Sequence, residues 1–132
     1  MQARLQAELH RRLQAESRLS IADFDVLVAL TDRPDERCRV LELATSLEWE
    51  KSRLSHHLSR MQKRGLITRE ECDDDGRGNV VVLTGQGRAA IEAAAPGHVE
   101  TVRELVFDAL SDEDVSALAR ISEAVLSRID RP

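Results

Sequence analysis

At 132 residues and a net charge of −5, the chain is long enough for one domain with a real core and too short to divide comfortably into two. Aromatic residues make up 2% of it and tyrosine is absent, so the core must be built from Leu, Val, Ile and Ala, which suits packed helices better than a large sheet and points to a mainly α class. No apolar run approaches the roughly 20 residues that cross a bilayer, the charged N-terminus does not read as a signal peptide, and two cysteines, Cys38 and Cys72, match neither a secreted disulfide framework nor a zinc motif; the expected setting is cytoplasmic, with reduced thiols and no membrane.

The first predicted element is a helix with a thin apolar stripe, Leu5, Leu9 and Leu13 at i, i+4 and i+8, a pattern that suits packing against a partner. Ser20, with Asp23 three residues on, reads as the N-cap of a second helix, apolar on several sides and therefore central, that ends near Asp32, Arg33 and Pro34. A polar loop follows, then a short helix over Val40–Leu47 and a second from Lys51 to Arg64, closed by Gly65 as a C-cap. Two short helices joined by a tight connection predict a helix-turn-helix. Leu66 to Arg69 and Val80 to Leu83 read as two strands of a hairpin with a charged, Gly-containing tip at 73–79. Thr84 starts a long helix that Pro96 and Gly97 should kink or interrupt before a further stretch from Val99 to Leu110. A last helix begins at Ser111, carries Asp112, Glu113 and Asp114 in its first turn, and presents Val115, Leu118, Ile121, Val125 and Ile129.

Charge is distributed unevenly. Between Lys51 and Arg69 stand six basic residues and no acidic one, whereas the chain as a whole holds 19 basic and 24 acidic residues. At about 100° per residue, Leu54, Leu58 and Met61 form the buried seam of the 51–64 helix. Ser52, His56, Ser59 and Lys63 lie opposite, flanked by Ser55 and Arg60. That face mixes short hydrogen-bonding side chains with cations and lacks a carboxylate, so it can enter a major groove, with Arg60 and Lys63 available to phosphates or guanine edges and the serines and His56 near base edges or backbone. Arg77, between two glycines at the hairpin tip, is suited to a narrow minor groove, and one neighbouring acid, Asp75, to orienting an arginine by a bidentate pair.

These residues, in this order, resemble the MarR family of transcriptional regulators. The resemblance rests on Phe24-Asp25-Val26-Leu27, Leu43-Ala44, the run from Ser52 to Leu58, Lys63-Arg64-Gly65-Leu66-Ile67, Asp75-Gly76-Arg77, and Val82-Leu83-Thr84-Gly85-Gln86-Gly87. It implies a single domain over 1–132, with dimerisation helices at 1–19 and 97–132 around a winged helix-turn-helix region at 20–96. It further implies a homodimer on a pseudo-palindromic double-stranded operator, with Lys51 to Lys63 as recognition helix, Arg53 among its DNA-facing residues, Asp75 as wing acid and Arg77 as minor-groove contact. Leu5, Leu9, Leu118, Ile121, Val125 and Ile129 are the expected dimerisation residues. Family members commonly repress and are released by a small-molecule effector; His10, Arg11 and Phe24 lie in the region where such pockets form.

Other readings make different predictions. Cysteine-based redox sensing would use Cys38 and Cys72, but the acids beside Cys72 oppose a thiolate. Metal sensing would need converging ligands, and adjacent His56 and His57 diverge by about 100° on a helix; His57, nearer the seam, is a packing or phosphate-contact residue. No phosphate loop, nucleophile elbow or ligand pair suggests an enzyme, and no catalytic residue, cofactor or metal is expected. A winged-helix protein-interaction module would show weak DNA affinity at every sequence.

Overall fold

The computed structural model describes residues 1–71 and 79–131. Its elements are α1 (Gln2–Ser17), α2 (Ile21–Thr31), β1 (Arg37–Arg39), α3 (Val40–Leu47), α4 (Lys51–Lys63), β2 (Ile67–Glu71), β3 (Asn79–Leu83), α5 (Gly85–Leu105) and α6 (Asp112–Ile129), with a 3-10 turn, Phe107–Ala109, between the last two. The fold is a mainly helical winged helix-turn-helix.

Local chemistry sets most of the boundaries. Ser20 Oγ accepts from the Asp23 amide and Asp23 Oδ2 accepts from the Ser20 amide, both at 2.9 Å, so the expected cap is a reciprocal capping box. Ser111 and Asp114 repeat it at the start of α6. Gly65 has φ +79; its amide donates to Gln62 O and that of Leu66 to Met61 O, a Schellman closure that needs the left-handed conformation. Gly87 is required by proximity instead: a Cβ there would stand 2.1 Å from Leu66 O. The Thr84 hydroxyl, which accepts from the Gly87 amide, donates to that same region at Gly65 O and Leu66 O. The start of α5 is thus tied to the end of the α4 turn.

Two expectations need correction. The segment read as a polar loop contains a strand, β1, so the sheet has three strands in the order β1-β3-β2, all antiparallel. Cys38 faces inward from β1 between exposed Arg37 and Arg39. Nor do Pro96 and Gly97 interrupt the helix: α5 runs through Pro96 to Leu105, and it is the 3-10 turn at Phe107–Ala109 that ends the segment expected to be helical to Leu110. A proline removes one amide donor, and the remaining bonds of a 21-residue helix carry the chain past it. The boundary expected between residues 96 and 97 therefore falls inside one continuous helix.

The core is aliphatic. Leu19, Leu27, Leu30, Leu43, Leu54, Leu58, Met61 and Ile67 are fully buried, and α2 lies against α3 and α5 at the centre. Helix α1 packs along α5, where Leu9 and Leu13 are buried and Arg12 bridges to Glu104 at 3.0 Å. Helix α6 buries no residue at all. No helix among the described residues is long and apolar enough to cross a membrane.

Candidate nucleic-acid interface

Helix α4 is held by its seam: Leu54, Leu58 and Met61 are fully buried. Its outer face is open. Lys51, Ser52, Arg53, His56, Ser59, Arg60 and Lys63 are exposed and Ser55 is half-buried. The Ser59 hydroxyl donates to Ser55 O at 3.2 Å, which leaves its lone pairs outward. Arg60 and Lys63 lie in the last turn of the helix, where cations also complement the helix dipole. Glu50 caps the helix without a side-chain bond, and its first turn holds no acid. Among the described residues, no carboxylate on α4 opposes an approaching phosphate backbone.

The six cations of the 51–69 segment have separate fates. Lys51, Arg53, Arg60 and Lys63 reach solvent. Arg69, on β2, turns inward, donating to Ser55 O and so fastening the sheet to α4; burial lowers its pKa. Arg64 Nη1 reaches Asp23 Oδ2 at 2.8 Å and its Nη2 donates to Arg18 O at 2.7 Å. The basic density of the sequence therefore splits into four solvent-facing cations and two arginines, Arg64 and Arg69, that tie the helix to its neighbours.

Arg53, His57, Arg60 and Arg64 recur at i, i+4, i+7 and i+11 and form a second stripe along α4, beside the expected face. This stripe walls a cleft of about 790 Å³, closed on the other side by Gln14, Ser20 and Asp23. The Arg53 guanidinium lies 4.6 Å above the Trp49 ring, a cation–π contact, and Trp49 meets His57 edge-on at 5.8 Å. His57 Nε2 stands 2.8 Å from Asp23 Oδ1. Asp23 is only 4% exposed. Burial alone would raise its pKa, but His57 and the Ser20 amide outweigh that and hold the carboxyl at about 2. Of the packing and phosphate-contact roles expected for His57, the structure shows a packed one: with Arg64, the C-cap of α4, it meets one buried carboxylate. Asp23, Trp49 and Arg64 were absent from the expected site, although the heptad-like spacing of Arg53, His57, Arg60 and Arg64 was available in the sequence.

The wing tip lies outside the described residues, and with it Asp75, Arg77 and Cys72. Cys38 is buried, 3% exposed, and burial raises its thiol pKa, the opposite of a reactive thiolate.

The remaining expected residues fall into two groups. On α6, Leu118, Ile121, Val125 and Ile129 are exposed, by 44, 54, 53 and 69%. Leu9 is covered by its own chain and Leu5 is half-buried. Arg11 grips Glu8 with two bonds of 2.5 and 3.0 Å; Arg11, then Arg12, hold the Glu8 carboxyl at about 2. His10 Nδ1 accepts from the Ile21 amide at 3.5 Å. The Phe24 ring lies 4.5 Å from that of His98 and lines a cavity of about 470 Å³ with Asp25, Val28 and Leu47, while His10 and Arg11 stand apart from it.

Comparison with known proteins agrees with this architecture. The family model described as "MarR family" matches residues 19–78. A MarR family transcriptional regulator from Streptomyces coelicolor, solved in complex with DNA, is 36% identical with a TM-score of 0.91, covering 98% of this chain and 81% of that one. AbsC, a MarR family transcriptional regulator of the same organism, is 32% identical with a TM-score of 0.84, covering 97% of this chain and 88% of that one. The HTH-type transcriptional repressor YetL of Bacillus subtilis is 27% identical over 111 residues, which is 84% of this chain and 66% of the repressor, so the chain spans about two thirds of the length of that relative.

Proposed function

The chain belongs to the MarR family of transcriptional regulators, and from that premise we propose that it is a homodimeric, sequence-specific repressor that is released from its operator by a small-molecule effector. The observation that carries the DNA reading is the outer face of α4, where Ser52, Arg53, His56, Ser59, Arg60 and Lys63 are exposed on a helix whose opposite seam is fully buried. Such a helix is rigid, cationic and free of opposing charge, as major-groove reading requires. Asp75 and Arg77 supply the wing contact in this proposal.

The dimer reading is supported by α6. Leu118, Ile121, Val125, Leu126 and Ile129 expose apolar side chains on a helix that its own chain leaves uncovered, and a second copy related by a two-fold axis covers them. Leu5 joins that surface, and Leu9 supports it from within the protomer. Two recognition helices then meet an inverted repeat. The effector is assigned to the cavity beside Phe24, from which His10 and Arg11 stand apart, and the protein to the cytoplasm.

Selection of bound sequences from a random DNA pool, followed by titration of the selected sequence and a scrambled control at physiological salt, tests the proposal. An enriched inverted repeat preferred by about a thousandfold or more is the expected result. Equal, weak affinity for every sequence would favour a winged-helix protein-interaction module and remove the regulatory reading.

A further inference from the structure

The contacts behind α4 extend to one of its exposed cations. His57 Nδ1 faces Arg60 Nη2 at 3.3 Å. A guanidinium can only donate, so Nδ1 is the acceptor and the neutral ring carries its proton on Nε2. That nitrogen is buried and stands 2.8 Å from Asp23 Oδ1 without a regular hydrogen bond. The carboxylate itself is pinned, because its other oxygen accepts from the Ser20 amide at 2.9 Å and from Arg64 at 2.8 Å. Trp49 stands edge-on to the ring and limits its swing. A fixed anion, a ring of defined tautomer and an exposed arginine therefore stand in series.

We propose that Asp23 and His57 are positioning residues for DNA binding: Asp23 orients the imidazole, and the imidazole holds the Arg60 guanidinium at the mouth of the cleft, ready for a backbone phosphate. The inference rests on the DNA reading of α4. An arginine fixed before binding loses less side-chain freedom when it meets its phosphate. The series also begins at the α1–α2 junction, through Ser20 and, by way of Arg64, the carbonyl of Arg18, so the placement of Arg60 depends on the geometry of that junction.

A double-mutant cycle tests this with the full chain. Wild type, His57→Leu, Arg60→Ala and the double variant are titrated with the selected operator, with thermal melting as the check on folding. Each single change is expected to weaken binding by about tenfold, and the double variant to bind no more weakly than Arg60→Ala alone, since both remove one function. His57→Gln, which keeps a donor and an acceptor, is expected to recover most of the loss. Losses that multiply to about a hundredfold in the double variant, or wild-type affinity in either single variant, would overturn the relay. If the wild type shows no specific DNA binding, it is the regulatory reading that fails, and the relay is then decided by imidazole 15N shifts of the free protein. An Nε2–H tautomer at His57 that is lost in Asp23→Asn is expected; identical His57 shifts in the two proteins would overturn the relay.

Discussion

Helices α4 and α6 are both amphipathic, yet they use their apolar faces in opposite ways. In α4 the seam of Leu54, Leu58 and Met61 is wholly inside the chain, and the polar face is what remains for a partner. In α6 no residue is buried and the apolar face is the one on offer. An apolar stripe says that something must cover it, not what does. Here the difference separates a helix that offers a cationic polar face from one that offers an uncovered apolar face, the basis of the DNA and dimer roles proposed for them.

The largest expected effect follows from α6. Ile121→Glu with Val125→Glu places carboxylates in the proposed interface, where unpaired burial is prohibitive. Sedimentation should show a monomer while the helical signal and the buried core persist; an unchanged dimer would place the interface elsewhere. Next comes the seam of α4: Leu58→Ala leaves a cavity under a fully buried residue and should cost about 2–5 kcal/mol, read as a lowered unfolding midpoint in denaturant. The contrast between the helices is sharpened by Leu118→Ala on α6, which should leave monomer stability nearly unchanged.

A smaller effect is expected at Asp23, with a pH signature. Its carboxyl sits at about 2 in the folded chain against an ordinary 3.8. A depressed carboxylate contributes stability above its unfolded value that is lost as pH falls through its folded one. Asp23→Asn should therefore destabilise the protein by about 1–2 kcal/mol near neutral pH, and the gap from wild type should close between about pH 4 and pH 2. A gap that persists at the acid end would mean that packing, not charge, holds α4 to α2. Arg60→Ala should lower operator affinity by about tenfold and make the salt dependence shallower by the equivalent of about one phosphate contact, while leaving dimerisation intact.

Much of this was readable along the chain because it is local. The capping boxes at Ser20 and Ser111, the Gly65 closure, the 54-58-61 seam and the cationic face of α4 depend on residues within a turn or two of each other. β1 escaped because three residues with arginines on both sides of Cys38 carry no periodic signal; pairing with Val80, Val81 and Val82 makes Arg37–Arg39 a strand. Pro96 misled because a proline breaks a short helix more readily than one with packing on both sides of it.

By itself, the sequence determined the order of the helices and of the hairpin, the mainly helical class, the helix that carries cations without acids, and the apolar stripes at both ends, since periodicity and composition record which side chains avoid water. Only the tertiary structure decided that Arg69 faces inward, that the exposed Arg64 reaches back to Asp23, that His57 stands between a buried carboxylate and Arg60, and that α6 is left uncovered. Those outcomes depend on which surfaces meet across the chain, over more than thirty residues for Asp23 with His57 and Arg64 and fourteen for Arg69 with Ser55. No local pattern encodes such a pairing, because a side chain's free energy there is set by the partner that the fold places beside it.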